Sequence, residues 1–344
     1  MLTASVNVIS GTVNSVVFDS INDGVASVDP TIDYTPSYSS TVTTNSIGTT
    51  TISAYVSMND GGNCSSTASV VVGTPGAWWQ VVNSDVYSAA NLYSYIPGTC
   101  TLPTCNPVFG LDGPGGYPGV AVYLSGYDFL SGSGLGMAAS SPNNWIANTS
   151  FQGKIIDYSY FSSQIPNSLV PEEISTSVVD GSVFESGGTL YRGYYYYHFD
   201  GTNLSSLTIN GDIDISGDRK VVVLAESANI YLNGNVEILS PGNGFFMIAA
   251  GKDVTGTSGY LFIDDLVTNL DGIYFAESEI STGAGDTQLV VNGSMVANGG
   301  ITLERDLVDN SFTPAEVFNY APEIVQLFPS IFQQTRMRWK EVVP

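Results

Sequence analysis

The second half of the chain repeats a short pattern in which an apolar residue precedes Asn-Gly and a second apolar residue follows two positions later. It occurs at 209–213, 232–236 and 291–295, with a looser Asp-Gly copy at 270–273. Asn, Asp and Gly accept positive φ, so each copy marks a corner between strands. The Asn/Asp positions lie 23, 38 and 21 residues apart. We interpret these gaps as one, two and one coils of a right-handed β-helix with roughly 20–25 residues per coil.

The segments between these corners have the apolar patterns of strands. Residues 207–215 alternate between apolar and polar, whereas 221–224 and 245–250 are continuous apolar runs. Such runs suit strands at the centre of a structure. A single coil cannot bury its own apolar face, so the stacking of coils makes the core. These segments therefore predict a solenoid over the second half of the chain.

Residues 1–74 predict a separate β-sandwich. Residues 50–58 alternate as a half-buried strand, 59–63 form a turn cluster, and 67–72 return as the partner strand. Turn signals every 8–12 residues without a helical period are typical of an immunoglobulin-like or PKD-like module. The predicted fold is thus all-β, with an Ig-like sandwich at 1–74 and a β-helix-like domain at 75–306.

Two further segments depart from the regular coil pattern. Residues 98–200 are rich in Pro, Gly and Ser, which predicts a loop-rich insert within the β-helix-like domain. The tail at 307–344 has capping-box spacing at Thr313–Glu316 and an apolar stripe of helical period at 324–332. We interpret it as a short helical C-terminal cap that protects the open edge of the solenoid.

The charge balance excludes two classes of partner. The formal net charge is -23 because only 9 Lys and Arg oppose 32 Asp and Glu. Nucleic acids and anionic membrane surfaces require clustered bases, so neither is an expected partner. No apolar run is long enough to insert into a membrane, and the hydroxyl- and amide-rich composition is typical of secreted β-proteins. We therefore expect an extracellular or cell-surface protein.

Two aromatic groups are candidates for carbohydrate binding. Tyr194, Tyr195, Tyr196 and Tyr197 follow one another in a predicted strand, so two of them share each face and could stack on sugars. The alternative is an aromatic ladder packed against a neighbouring coil. Trp78 and Trp79 stand beside the domain boundary, either as a carbohydrate platform or as a plug for the open end of the solenoid.

The cysteines and the single histidine constrain covalent and metal chemistry. Cys100 and Cys105 enclose four residues, so they either form a small-loop disulfide or remain as two buried thiols, while Cys64 has no partner by number. With His198 as the only histidine, structural zinc is not expected. Scattered aspartates could hold calcium, but no dense Asp-rich loop is present, and solvated carboxylates are the preferred interpretation. We expect no metal site, no catalytic residue and no cofactor.

Three motifs together resemble a known group of proteins. They are Trp78–Val81 leading into Asp85-Val86 and Ile96-Pro97, the Asn-Gly coils, and a tail ending in Trp339–Pro344. The chain resembles uncharacterised exported surface proteins of candidate-phyla-radiation (Patescibacteria-type) bacteria, which join an Ig-like module to a β-helix-like domain. Its tail is also similar to that of pilus-associated PilX-type proteins. The resemblance covers roughly 76–97 and 200–344 and implies a surface role, but it assigns no functional residue.

Three functions remain open at this stage. The first is a non-enzymatic structural or adhesion protein of the cell surface, whose solenoid contacts a polysaccharide or a protein. The second is a polysaccharide lyase or hydrolase, for which carboxylates are available at Glu226, Asp264, Asp265, Glu277 and Glu279, although their spacing selects no pair. The third is a self-associating filament or surface-layer subunit. Scarce bases and a negative field disfavour a lyase acting on acidic sugars, so we expect the first function.

Overall fold

The chain divides into two compact units, Met1–Thr74 and Pro75–Pro344. This division falls where the sequence analysis placed the domain boundary. The computed structural model describes residues 2–3, 12–45, 48–72, 76–82, 85–89, 91–93, 109–110, 121–123, 126–128, 146–148 and 156–333. Cys100, Cys105 and the tail motif at 339–344 lie outside the described residues.

The first unit is a β-sandwich of two antiparallel sheets, as predicted. Its strands are β1 Leu2–Thr3, β2 Val13–Ser20, β3 Ala26–Asp29, β4 Ile32–Asp33, β5 Ser39–Thr44, β6 Gly48–Met58 and β7 Asn63–Val72. One sheet has the order β4-β2-β6-β7 and the other β1-β5-β3. Alternate residues of β2 and β6 face Val28 of the second sheet, and these residues form the core, which comprises Val16, Phe18, Val28, Ile52 and Val56.

The second unit contains twenty-three strands and a few short helices in the part of the chain that the structure describes. Before residue 150 the strands are β8 Trp79–Val82, β9 Val86–Ser88, β10 Asn91–Tyr93, β11 Phe109–Gly110, β12 Ala121–Tyr123, β13 Gly126–Asp128 and β14 Ile146–Asn148. The next elements are helix α1 Tyr158–Gln164, β15 Glu172–Glu173, β16 Val178–Asp180, a 3-10 helix Gly181–Glu185, β17 Thr189–Tyr191, β18 Tyr194–Asp200 and helix α2 Gly201–Leu204.

The remaining elements complete the coils. They are β19 Ser206–Asn210, β20 Ile213–Ile215, β21 Lys220–Glu226, β22 Asn229–Asn233, β23 Val236–Ile238, β24 Phe245–Ala250, β25 Leu261–Ile263, β26 Asn269–Ala276, β27 Glu279–Ser281, β28 Leu289–Ala297, β29 Gly300–Thr302 and β30 Glu316–Asn319. Helix α3 Pro322–Gln326 and a 3-10 helix Ser330–Phe332 follow.

These strands stack as a β-solenoid of about six turns, which confirms the predicted fold class. The long sheet has the order β11-β8-β30-β28-β26-β24-β21-β18-β15, and neighbouring strands in this order are parallel. Strand β17 pairs with β18 in the antiparallel direction. From Tyr197 to Met295, successive register partners are 26, 25, 26 and 21 residues apart. The second sheet, β16-β19-β22-β25-β27-β29, forms another side, and β20 and β23 form a short third side.

The Asn-Gly copies mark two different corners of the coil. Asn210 and Asn233 are partners in adjacent strands and are joined through their carboxamides (2.9 Å). Asp271 and Asn292 are also partners (2.8 Å), but they lie within β26 and β28. The interpretation of the 38-residue gap as two coils is therefore wrong, because Leu232 pairs with Ile263 and places Asn233 at another corner. At the second corner Gly293 has φ +143°, and a Cβ there would overlap the Gly272 carbonyl of the coil next to it.

The order of strands along the chain differs from their order in space. Strand β8 lies between β30 and β11, so the beginning of the unit is stacked on its last coil. The segment from Ile156 leads to β15 at the opposite end of the long sheet. It begins beside Asn298, whose Nδ2 donates to the Ile156 carbonyl (2.8 Å). The Tyr158 backbone N–H then donates to the Glu277 carboxylate. The predicted loop-rich insert at 98–200 is thus corrected: several of its segments are paired coil strands, and 172–200 begin the main stack.

The continuous apolar runs arise because the centre of the long sheet is covered on both faces. Alternate residues of β21 and β24 face the solenoid interior, and the residues between them lie beneath α1 and the C-terminal segment 320–333. Phe161 of α1 packs on Phe275 (5.1 Å between centroids) and on Phe332 (5.3 Å). Gly251 passes directly under the Tyr158 ring, where a Cβ would overlap that ring. Strands buried on both faces require apolar side chains at every position.

The C-terminal segment differs from the predicted cap in position and in its starting point. The capping-box spacing at Thr313 does not begin a helix. Glu316 instead starts β30, and its carboxylate binds Thr282 and the Arg305 backbone N–H. The apolar stripe at 324–332 forms α3 and the 3-10 helix, and it covers the side of the solenoid rather than an end. No helix in the described part of the chain is long and apolar enough to cross a membrane.

Candidate ligand-binding groove

The outer face of the second sheet carries a column of side chains in register. Thr208, Tyr231, Phe262 and Ser281 are successive partners in β19, β22, β25 and β27. Neighbouring parallel strands lie about 4.8 Å apart, so these side chains follow one another along the solenoid axis. In β22 the buried Ile230 and Leu232 flank Tyr231, and this alternation turns the tyrosine ring outward.

Three aromatic rings lie nearly parallel on this face. The rings of Tyr231 and Phe262 are 5.0 Å apart at an interplanar angle of 18°, and those of Tyr260 and Phe262 are 5.8 Å apart at 7°. Tyr231 is 38% exposed, and the other two rings are partly exposed. An aromatic surface of this kind offers both apolar contact and the Tyr hydroxyls as hydrogen-bonding groups.

A groove of about 330 Å³ runs beside these rings along the adjacent corner. Its polar walls come from Asn233, Asp264, Asp265 and Ser281. Asn233 and Asp264 follow Tyr231 and Phe262 by two positions, so each has the outward orientation of its aromatic neighbour. The volume lies within the usual range for small-ligand sites, and the mixture of rings, amide and carboxylates provides both stacking and hydrogen bonding.

A buried arginine holds the acidic turn of the groove in place. Arg305 is 1% exposed, and its guanidinium donates to the carbonyls of Asp264 (2.7 Å), Val267 (3.1 Å) and Thr282 (2.8 Å), and also to that of Asp265. Burial lowers the pKa of Arg305, and the neighbouring carboxylates of Glu316, Asp265 and Asp264 oppose that shift. The guanidinium donors are directed inward, so they anchor the wall of the groove.

Glu316 completes this buried polar cluster. Its Oε1 accepts from Thr282 Oγ1 (3.0 Å) and from the Arg305 backbone N–H (2.9 Å). Burial raises the pKa of the Glu316 carboxyl above its ordinary value, and those hydrogen bonds oppose the shift. The cluster links β30 to the coils that contain Thr282 and Asp264.

The predicted tyrosines Tyr194, Tyr195, Tyr196 and Tyr197 lie in β18, distributed over its two faces. Tyr196 and Tyr197 are completely buried. The Tyr197 hydroxyl donates to carbonyls of the 181–186 turn and accepts from Arg219, whose guanidinium lies 4.0 Å from the Tyr195 ring centroid. The Tyr194 hydroxyl donates to the Leu327 carbonyl (2.7 Å). These rings pack into the molecule, as in the alternative of an aromatic ladder, and form no joint exposed platform.

The predicted tryptophans are adjacent in sequence but have different surroundings. Trp78 is 1% exposed, and its indole N–H donates to the Asn310 carbonyl (2.9 Å). Trp79 is partly buried and begins β8, where it pairs with Glu316. Because β8 lies between two other strands, this pair does not plug an open end of the solenoid. Trp78 instead fastens the first coil to the last.

The remaining candidates do not line the groove. Glu226 and Glu173 flank His198, at 3.3 and 2.7 Å from its ring nitrogens. The Glu277 carboxylate accepts from the backbone N–H groups of Tyr158 and Lys252. Glu279 binds Thr302, and Cys64 is an exposed free thiol of the sandwich. Among the described residues, no three His, Cys, Asp or Glu side chains lie close enough together to hold a metal ion.

Sequence reasoning missed the three rings that line this face. The signal was present in β22 (Asn229–Asn233) and in β25 (Leu261–Ile263) with the Tyr260 that precedes it, where the aromatic residues alternate with buried Ile and Leu. Only the register between coils, which differ in length, brings Tyr231 beside Phe262.

The chain combines a β-sandwich with a β-solenoid that has a lateral aromatic groove. Comparison with known protein families, with curated proteins and with solved structures finds no match to any of them. The fold is shown by the structure alone, and a proposal of function rests on the groove.

Proposed function

We propose that the protein is a non-enzymatic, extracellular or cell-surface adhesion protein whose solenoid binds carbohydrate in the lateral groove. The observation that carries the proposal is the set of nearly parallel rings of Tyr231, Tyr260 and Phe262 beside Asn233 and Asp264. Aromatic faces pack against the C–H faces of sugar rings, and amide and carboxylate groups bind their hydroxyls. A base-poor, hydroxyl-rich surface supports an extracellular role.

The architecture supports a binding role rather than a chemical one. Two arginines of the coils, Arg219 and Arg305, use their guanidinium groups to bind carbonyls of neighbouring segments. The groove is shallow and lateral, which suits contact with an extended chain. The adjacent carboxylates of Asp264 and Asp265 are the observation that favours a hydrolase as the second candidate, since glycoside hydrolysis requires two carboxyl groups.

The test is binding of the full chain to an array of neutral, amino and acidic glycans, with released products measured in parallel. We expect binding without cleavage and a loss of about tenfold or more in affinity when Tyr231 and Phe262 are both changed to Ala, since each ring contributes about 1 kcal/mol or more. Tyr34→Ala removes an exposed ring from the sandwich and serves as the matched control.

Three outcomes would overturn parts of this proposal. Release of saccharide products would replace the adhesion function with hydrolysis, and Asp264→Asn would then be the first variant to assay. Binding that survives the double substitution would move the site away from the groove. Absence of binding to every glycan would reject the carbohydrate function.

A further inference from the structure

Carboxylates line one wall of the groove, and the guanidinium behind that wall is directed away from the groove. Asp264 and Asp265 line its wall, and the groove residue Ser281 donates to Glu304 on the next coil. In the part of the chain that the structure describes, Arg305 is the one base that contacts this wall. It is 1% exposed, and carbonyls and a hydroxyl already accept from its guanidinium. A ligand in the groove therefore meets negative charge without a free positive donor.

The aromatic rings favour the same sign of ligand charge. The face of an aromatic ring carries negative potential, so a face of Tyr231 or Tyr260 that is not covered by Phe262 attracts a cation placed over it. A carboxylate beside such rings adds a charge-assisted hydrogen bond to an ammonium group. Stacking surface and carboxylates in one groove thus match a sugar ring that carries a protonated amine.

We propose that the groove selects amino sugars, with the sugar ring on Tyr231 and Phe262 and its ammonium group bound by Asp264 or Asp265. This inference rests on the proposed carbohydrate function and adds the class of sugar. A uronic acid would place its carboxylate against two others, and the formal net charge of -23 would repel acidic polysaccharides before contact. A neutral sugar would stack on the rings but would lack the charged contact.

The test compares three oligosaccharides of equal length by calorimetric titration of the full chain: oligoglucosamine, its fully N-acetylated counterpart and oligogalacturonate. We expect oligoglucosamine to bind about tenfold or more tightly than the acetylated oligomer, as one charge-assisted hydrogen bond implies. Oligogalacturonate should bind the weakest. The double variant Asp264→Asn/Asp265→Asn keeps the shape of the groove and should abolish the preference.

A second variant separates local contact from the overall field. Asp19→Asn/Asp23→Asn makes the same change of net charge on exposed residues of the sandwich and should keep the preference. Equal affinity for the amine and acetyl oligomers would overturn the inference, while the carbohydrate function would stand. A preference that survives Asp264→Asn/Asp265→Asn would overturn it as well. Failure of all three oligomers to bind would also reject it, and the glycan array separately decides the proposed function.

Discussion

The Arg305 side chain joins several segments of neighbouring coils. Its guanidinium binds carbonyls of the 264–267 turn and of Thr282, and its backbone N–H donates to the buried Glu316. Removal of the guanidinium would take one donor from each of these carbonyls and a neighbouring positive charge from the buried Glu316 carboxyl. Such losses are costly because the groups remain out of contact with water.

We expect Arg305→Met to lower the free energy of unfolding of the solenoid by about 3–5 kcal/mol. Denaturant unfolding followed by circular dichroism measures this change. Lys252→Met, at an exposed base of the same solenoid, is the control and should have little effect. Equal stability of Arg305→Met and the parent would contradict the structural role of the buried guanidinium.

A second prediction concerns the stability of the protein at alkaline pH and rests on the burial of Tyr197. Burial raises the pKa of Tyr197 to about 12, and Arg219 opposes the shift. An unfolded tyrosine ionises near pH 10. The folded state therefore retains this proton longer, so its contribution to stability is fully present below about pH 10 and is lost as the pH rises through about 12.

The free energy of unfolding should fall as the pH rises from 9 to 12, and in Tyr197→Phe this fall should be smaller by about 2–3 kcal/mol. Urea unfolding at stepped pH, with tyrosinate absorbance recorded in parallel, measures it. The variant should also be less stable near neutrality, because the hydrogen bonds to the 183 and 186 carbonyls are lost. An unchanged slope would show that Tyr197 ionises freely in the folded protein.

Two short segments, α1 and residues 320–333, cover the outer face of the long sheet. Their local sequence patterns do not predict this position. Phe332 is 2% exposed and contacts Phe161 of α1, so the C-terminal segment and α1 hold each other on the sheet. Phe332→Ala should destabilise the protein by about 3–5 kcal/mol, as large-to-small changes in a core do. It should also make residues 320–333 the first site of cleavage in limited proteolysis.

Val325→Ala is the matched control, because Val325 belongs to the same segment but is 41% exposed. It should change stability by less than about 1 kcal/mol. If the two variants behaved alike, the C-terminal segment would not be packed against the sheet in solution.

Among the secondary-structure elements, the sequence predicted the strands well. The alternation at 207–215 and the apolar runs at 221–224 and 245–250 each became strands, because period-two burial is a local property. The register between coils was not predictable, since coils of unequal length place Asn233 beside Asp264 rather than near Asp271. For the same reason the sequence did not predict the Tyr231–Phe262 contact. It indicated instead the four consecutive tyrosines, whose rings pack into the molecule.

The two units each have their own core, and this separation predicts independent folding. Val16, Phe18, Val28, Ile52 and Val56 belong to the sandwich alone. Residues 1–74 and 75–344, produced as separate fragments, should each fold, and their unfolding transitions should add up to those of the intact chain. Calorimetry measures both. As a control, residues 1–60 lack β7 and should not fold, and a sandwich that melted only in the intact chain would refute independence.

The position of β8 between β30 and β11 has a consequence for the order of events in folding. Trp78 binds Asn310 across 232 residues of sequence, so β8 has no neighbour on its β30 side until almost the whole unit has been synthesised. The coils from β18 to β28 can assemble progressively, each on the one before. The start of the unit must wait for its end, and a contact this distant in sequence makes the last step slow. A chain released from the ribosome or from a secretion channel in one direction would therefore complete its solenoid only after its final coil emerged.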